Sequence, residues 1–386
     1  MTSVTIRDLV HVSGGGTPRR SNGSYYGGSI PWVTPKDMKR PTIVSSEITL
    51  TADGVANSPA KWIPAGSILV VVRSGVLKHT LPVALTGVPV TVNQDMKALT
   101  PSPGVDARYL ARRIKALEAV VLGQVRATTA DNFPIDILLD IAIDLPPLEE
   151  QRRVASILDH ASALRAKRRL VLTQLGSLPS RRFDEAFAGR AWHLVPMSDL
   201  IAEQQIGLDR RSSEQGADRA HGYLKMDVIT RDGQLDLTRL TNVDASVDEA
   251  KRYAVRDGDL LLNTRNSREL VGKSAVYHGP PCLYNNNLSR IRFSEQVTPQ
   301  YIHGFLWSLD GRRQLESRKS GTTSVFAMYA KAFATILVPI PPIEDQIAFA
   351  NFVTEIENRQ SEVRRLLKLD DSLFASLQRR AFLGEL

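Results

Sequence analysis

Gly272-Lys273-Ser274 is the one tripeptide of this chain that could end a phosphate-binding loop. Such a loop needs its first glycine at position 267, so that backbone N–H groups can approach the phosphates, and Ser267 stands there instead. Gly14-Gly15-Gly16 runs into Thr17-Pro18 rather than into a helix, which is not a dinucleotide fingerprint. The adenine methyltransferase signature, Asn/Asp-Pro-Pro-Tyr/Phe, is absent: the Pro-Pro pairs follow Leu145, Gly279 and Ile340. The 7 histidines are scattered, none in a His-x3-His pair, and His160 reads as a surface residue. The single cysteine, Cys282, excludes a disulfide scaffold and a cysteine-based zinc site. No Ser/His/Asp arrangement emerges from spacing, so the expectation is a chain with no catalytic centre and no metal of its own.

What remains is a set of basic and amide residues in loops. In the first half these are Arg19, Arg20, Lys36, Lys39, Arg40, Arg73, Lys78, His79, Asn93 and Gln94. In the second they are Arg265, Asn266, Arg268, Lys273, Asn285, Asn286, Asn287, Arg318, Lys319, Thr322 and Thr323. Arginine can grip a guanine edge with a bidentate fork, and Asn or Gln can do the same with adenine. Lys, Ser and Thr serve phosphates. Any one of these residues could merely solvate a loop, but the set, placed on two matching halves, favours nucleic acid. With 49 Lys/Arg against 41 Asp/Glu the formal net charge is +8, which agrees with a polyanionic partner without requiring one.

The elements that position these residues come from a repeat. Leu145-Pro146-Pro147-Leu148-Glu149-Glu150-Gln151 returns as Ile340-Pro341-Pro342-Ile343-Glu344-Asp345-Gln346, and Ala186-Phe187-Ala188-Gly189 returns as Ala381-Phe382-Leu383-Gly384, both 195 residues on. Fainter echoes lie 192 residues apart: Arg73 with Arg265, and Asn93-Gln94-Asp95 with Asn285-Asn286-Asn287. The period is far too long for a solenoid and implies a duplicated domain and a pseudo-two-fold molecule. The 386 residues then divide into 1–145, 146–190, 191–340 and 341–386.

Each recurring segment reads as a long helix. Proline suits the first turn, and the acidic pair after it favours the helix dipole. Apolar residues follow at heptad spacing: Val154, Ile157, Ala161, Leu164, Val171, Leu175 and Leu178 in one, Phe349, Phe352, Ile356, Val363, Leu366, Leu373 and Leu377 in the other. Arg168, Arg359 and Asp370 interrupt the pattern. Sustained 3–4 spacing predicts a coiled-coil seam. Pro179 should end or kink the first helix, leaving a rod of roughly 46 Å. Segment 146–190 carries 9 basic and 5 acidic residues, segment 341–386 carries 6 and 8, so opposite net charges favour pairing. The stretches between read as mixed α/β units. Short strands are expected at 68–73, 81–85 and 88–92, then a helix at 107–122; the second half repeats the order with strands at 253–263, 275–277 and 289–293 and a helix at 301–315.

Together these features resemble the specificity subunit of type I restriction–modification systems. The likeness rests on Gly15-Gly16-Thr17-Pro18 followed by Ile30-Pro31-Trp32-Val33 and Lys36-Asp37, on Leu145 to Arg152 and its second copy, on Gly321-Thr322-Thr323-Ser324, and on Phe382-Leu383-Gly384-Glu385-Leu386. It spans essentially the whole chain. Two departures stand out. The second half has Ile206-Gly207-Leu208-Asp209 in place of Gly-Gly-Thr-Pro, and the first has Arg126-Ala127-Thr128-Thr129 where the second has Gly321 to Ser324.

The resemblance implies an α/β fold: two similar mixed α/β target recognition domains separated by two long antiparallel coiled-coil helices. Each domain, 1–145 and 191–340, would read one half of a bipartite double-stranded DNA site, and the helices 146–190 and 341–386 would hold the unread spacer. It further implies two methyltransferase subunits docked on the helices and a restriction subunit acting as motor and nuclease. S-adenosylmethionine, ATP and Mg2+ would belong to those partners and no cofactor to this chain. A self-contained methyltransferase or nuclease, and a coiled-coil scaffold that reads no DNA, are the alternatives. No apolar stretch approaches the roughly 18 residues of a membrane span, and Met1 to Asp8 carries charge without an apolar run, so a cytoplasmic protein is expected.

Overall fold

The computed structural model describes residues 2–125, 131–322 and 324–386. It comprises two compact units, Met1–Lys167 with Lys368–Leu386, and Arg168–Leu367. Each long helix therefore contributes residues to both units.

In the first unit, strand Thr2–Thr5 pairs antiparallel with Ala142–Leu145, the strand that leads into Pro146-Pro147. A five-stranded sheet follows in the order Val10–Gly14, Met96–Pro101, Ile68–Val71, Val83–Thr86, Thr42–Ile43. A three-stranded sheet holds Thr49–Leu50, Tyr26–Val33 and Thr91–Val92. Ile68 to Val71 is buried at every residue, which explains why the sequence there is a continuous apolar run and not an alternation.

The second unit repeats this plan. His193–Pro196 pairs with Leu337–Ile340 before the second Pro-Pro. The four-stranded sheet runs Ile201–Ile206, Leu288–Phe293, Leu260–Asn263, Ser274–Val276, and a three-stranded sheet holds Thr241–Val243, His221–Leu224 and Leu283–Tyr284. Both units are mixed α/β. The expected single helices are each two. Ala107–Ala116 gives way to Glu118–Leu122 at Leu117, and Pro299–Trp307 gives way to Leu309–Glu316 at Ser308. Ser308 breaks the second because its hydroxyl accepts the Gly311 N–H and caps a new start.

The long helices are Leu148–Phe187 and Ile343–Leu383, 40 and 41 residues. Pro179 lies inside the first, which continues past it for two turns. Within the first unit, Val154, Ala155 and Leu158 pack with Phe374, Leu377 and Ala381. Arg165 pairs with Asp371 at 2.6 Å and lies over the Phe374 ring at 4.4 Å. Within the second, Phe183 meets Phe349 with ring centroids 5.5 Å apart. The start of each helix lies against the end of the other, so the pair is antiparallel.

The seam differs from the expected one at alternate positions. Val154, Ala161, Leu175, Phe349, Ile356 and Val363 face inward, but Leu164, Val171 and Leu373 are 44%, 40% and 54% exposed. The residue after each, Arg165, Leu172 and Phe374, takes the inner place. Ile157, Phe352 and Leu366 are half-buried beside the better covered Leu158 and Val353 and the likewise half-buried Leu367. The spacing fixes every second seam position; the one between can fall three or four residues on. Counting apolar residues chose Leu164 over Arg165, whereas the arginine stem fills the seam while its head finds a carboxylate and a ring.

Two buried glutamines fasten these helices to their units. Gln151 accepts the Asp106 N–H at 2.8 Å and donates to the carbonyls of Pro146 and Gly104 at 2.9 and 3.2 Å. Gln346 accepts the Thr298 N–H at 3.1 Å and donates to Pro341 and Gln296, both at 3.1 Å. Asp106 and Thr298 are N-caps of the helices starting at Ala107 and Pro299. Gln151→Leu or Gln346→Leu leaves one N–H and two carbonyls unpaired and should cost about 2–4 kcal/mol, read from urea denaturation. Ile356→Asp should cost about 3 kcal/mol or more, and Leu373→Asp less than about 0.5; equal losses would contradict the observed seam.

Candidate nucleic-acid interface

The candidate site of the first unit grows from a close backbone approach. A Cβ on Gly15 would sit 2.1 Å from the Asn93 carbonyl oxygen and 2.2 Å from that of Val92, so only glycine fits. Gly16 N–H donates to the Val92 carbonyl at 3.0 Å, and the buried Trp32 indole donates to the Gly16 carbonyl at 3.0 Å. This pins the loop 17–20 beside the turn 93–95. The backbone N–H groups of Val72 and Arg73 both donate to Asp95, which brings the end of the central strand to the same turn.

Around this frame opens a cleft of about 520 Å³ lined by Arg20, Lys36, Arg73, Asn93 and Gln94, among others. Five expected residues are thus brought together. Arg20, Lys36 and Arg73 are exposed and, among the described residues, have no side-chain partner. The cleft's acids are partly spent internally. Asp37 accepts the Thr34 N–H and hydroxyl and the Glu47 N–H, all at 2.8 Å, and Asp95 accepts the Asn93 amide at 2.9 Å. Gln94 is bonded through its side chain to Thr17. Arg19 is exposed on the same loop but outside the cleft lining, and Lys78 lies 4.0 Å from the Asp131 carboxylate.

The second unit rebuilds the frame with different letters. A Cβ on Gly207 would lie 2.2 Å from the Asn285 carbonyl oxygen and 2.3 Å from that of Tyr284. Leu208 N–H donates to Tyr284 at 2.8 Å, and the Tyr223 hydroxyl donates to the Leu208 carbonyl. Gly207 therefore does the work of Gly15, and the missing Gly-Gly-Thr-Pro costs the second unit no close approach. Tyr223 does the work of Trp32. Thr17, Trp32 and Gly207 entered the sequence reading only within the motifs of the resemblance and not as site residues, and Tyr223 not at all, although the aromatics and the glycines recur about 191–192 residues apart. Thr264, the residue before Arg265, donates to Asn287 through its N–H and its hydroxyl at 2.8 and 3.0 Å.

The second unit keeps fewer of its expected cations free. Arg265 is exposed without a side-chain partner among the described residues. Arg268 and Lys319 are both held by Glu316, at 2.7 and 2.8 Å, and Lys319 also donates to the Arg268 carbonyl. Hydrogen bonds from Lys319 and then Arg268 hold the Glu316 carboxyl below its usual range. Asn285 is buried and Asn286 half-buried, and Asn266 accepts the Ser267 N–H at 2.8 Å. Thr322 is exposed, and Thr323 lies outside the described residues, as do Arg126 to Thr129.

The loop-like tripeptide is spent on structure. Gly272 turns at φ +84°, the Lys273 ammonium is bonded to the Ile229 carbonyl with burial lowering its pKa, and Ser274 shares a 3.2 Å bond with His303. Burial pushes the Cys282 thiol up to about 11, so it is no ready nucleophile. Among the described residues no group of three or more His, Cys, Asp or Glu is placed to hold a metal, and no helix is long and apolar enough to cross a membrane.

Burial also pushes the His303 imidazole down to about 4, although part of its surface reaches solvent. The neutral ring then contributes its full stability above pH 6.5. As pH falls from 6.5 towards 4 the unfolded chain takes the proton first, and up to about 3 kcal/mol is lost, less the share screened by water. Urea midpoints at pH 7 and pH 4.5 should differ less in His303→Gln than in the unaltered chain.

Comparison with known proteins finds relatives of this arrangement. Residues 1–174 match the type I restriction modification DNA specificity domain. Over 163 residues the chain is 40% identical to the EcoR124I/EcoR124II specificity subunit of Escherichia coli, covering 42% of this chain and 40% of that protein. Over 160 residues it is 29% identical to the MjaIX specificity subunit of Methanocaldococcus jannaschii, covering 40% and 36%. The chain thus spans about two fifths of the length of these curated relatives. The crystal structure of an S subunit from M. genitalium superposes with a TM-score of 0.61 at 14% identity, over 99% of this chain and 96% of that one. A chain from a solved type I R-M system gives 0.55 at 18%, over 100% and 98%. Residues 1–174 are thus similar in sequence to the type I restriction modification DNA specificity domain, and the whole chain shares the fold of these solved structures.

Proposed function

We propose that this chain is the DNA sequence-recognition subunit of a type I restriction–modification complex, each unit reading one half of a bipartite site with an unread spacer. The observation that carries the reading is the same small constellation in both units. An exposed, unpaired arginine, Arg73 or Arg265, follows the central strand and is tied through the backbone to an amide-bearing turn, 93–95 or 285–287. Guanidinium and amide are the groups that read purine edges in the major groove. Arg20, Lys36 and Arg19 add charge suited to phosphates. Asn266, Asn286 and Thr322 are accessible enough to join them. Arg268, Lys273, Lys319 and Lys78 have carboxylate or carbonyl partners and serve the reading as supports.

On this reading the chain is not an enzyme. Two methyltransferase subunits bring S-adenosylmethionine chemistry on adenine, and a motor–nuclease subunit brings ATP and Mg2+; the assembly works in the cytoplasm. Base extrusion before methylation would distort the DNA when the full complex binds.

Expressed with methyltransferase subunits, the chain should yield a map of methylated adenines in a split sequence. Arg73→Ala and Arg265→Ala should each weaken binding by about 1–3 kcal/mol and relax discrimination in one half only. Equal affinity at several salt concentrations would remove that arginine from the interface. Exchange of residues 1–145 for another family member's should change one half-site; a change in both would end the modular reading.

A further inference from the structure

The two units part company at one buried amide. Asn263 ends the central strand Leu260–Asn263 at 0% exposure, and neither its Nδ2 nor its Oδ1 has a hydrogen-bond partner among the described residues. Turning the amide over changes nothing, because both ends are orphaned. Native structures rarely leave such groups unpaired, since burial without a bond is costly. The first unit has Val71 at the corresponding place, the last residue of Ile68–Val71 and equally buried. The fold therefore does not need a polar side chain there.

The surroundings of Asn263 belong to the candidate interface. Alternation along the strand puts its side chain on the face of Leu261, which packs with Leu224, Ile229 and Leu288. Its N–H donates to the Lys273 carbonyl at 2.7 Å, and its ladder partner on the other side is Leu288. Leu288 closes the turn that begins at Asn285, and Asn285 Oδ1 is also buried without a partner. The next residue, Thr264, holds Asn287, and Arg265 follows. Three orphaned polar atoms thus sit at the root of the turn and the arginine assigned above to base reading.

We propose that Asn263 is a positioning residue for the second half-site: its amide finds hydrogen-bond partners only in the arrangement that the 285–287 turn adopts on cognate DNA. The inference rests on the proposed function and deepens it. A buried amide that is unmatched in the free chain and matched in the bound one supplies differential free energy between two arrangements, which is what a conformational choice requires. Removing the amide makes the free chain more comfortable and the choice weaker, the usual exchange of stability for function. The first unit, with Val71, meets its half-site already formed.

The test uses the full chain expressed with methyltransferase subunits, and compares Asn263→Val, the residue of the first unit, with the unaltered chain. Thermal midpoints are measured, together with competition binding to duplexes carrying the mapped site, altered in the first half, or altered in the second. Asn263→Val should melt several degrees higher, bind the mapped site at least about 10-fold more weakly, equivalent to about 1.4 kcal/mol, and lose discrimination in the second half alone. Unchanged affinity and discrimination, or equal loss in both halves, would overturn the proposal. Asn263→Ser, which adds no volume, must show the same half-specific loss and so guards against a misfolded valine variant. If the unaltered chain distinguishes none of the duplexes, the proposed function itself fails and takes this inference with it.

Discussion

The glutamine amide buried at the first turn of each long helix is the constraint from which the rest of each unit is built. A helix that begins with Pro-Pro lacks N–H groups to anchor its own entry, and a rod of roughly 60 Å amplifies any error in direction. Gln151 and Gln346 remove that freedom. Each side chain bonds back to the proline carbonyl before the helix and across to the N-cap of the shorter helix of its own unit. The strand pairs Thr2–Thr5 with Ala142–Leu145 and His193–Pro196 with Leu337–Ile340 fix the chain just upstream. Glutamine suits the task because it is uncharged: it satisfies one N–H and two carbonyls without bringing a charge into a buried place.

From that fixed point the same division of labour runs through both units. What recurs is backbone support: a glycine where two carbonyls crowd, an aromatic donor beneath the loop, and an Asn at the turn. What varies is the side chain displayed on that support. Trp32 and Tyr223 differ in shape but donate to equivalent carbonyls. Lys36 has no lysine opposite it in the second unit, where Met226-Asp227-Val228 forms the matching short turn. Keeping the two roles on different residues lets the displayed side chains change without refolding the support.

Much of this was legible in the residues. The 195-residue repeat, the Pro-Pro starts, the central strands and the long helices carry local signals of proline, acid pairs and apolar runs. The inner half of the seam was not, because a heptad leaves the choice between positions 157 and 158, or 164 and 165, to the partner helix. There a polar residue won: Arg165 goes in because Asp371 and Phe374 receive it, more than 200 residues along the chain. The candidate site was legible as a list and not as a balance. Arg265, Arg268 and Lys319 look alike in sequence, yet Glu316 holds two of them and leaves the third; it reaches Lys319 within its own turn, but Arg268 from 48 residues away. Lys273 stood on the same list, and only packing reveals that it is committed to the Ile229 carbonyl.

On the proposed function, this balance makes the two units unequal partners for DNA. Among the described residues, the first keeps Arg19, Arg20, Lys36 and Arg73 exposed without side-chain partners, whereas among the second unit's named cations that Glu316 or a carbonyl does not hold, Arg265 remains. Phosphate contacts supply affinity that is indifferent to sequence and falls with salt; base contacts and fitted turns supply choice. On the proposed function, the first unit then carries the larger share of the charge-driven grip. The second, with its amide-rich turn over an unsatisfied Asn263, depends more on fit. The two units share a common frame and differ in the side chains they set on it.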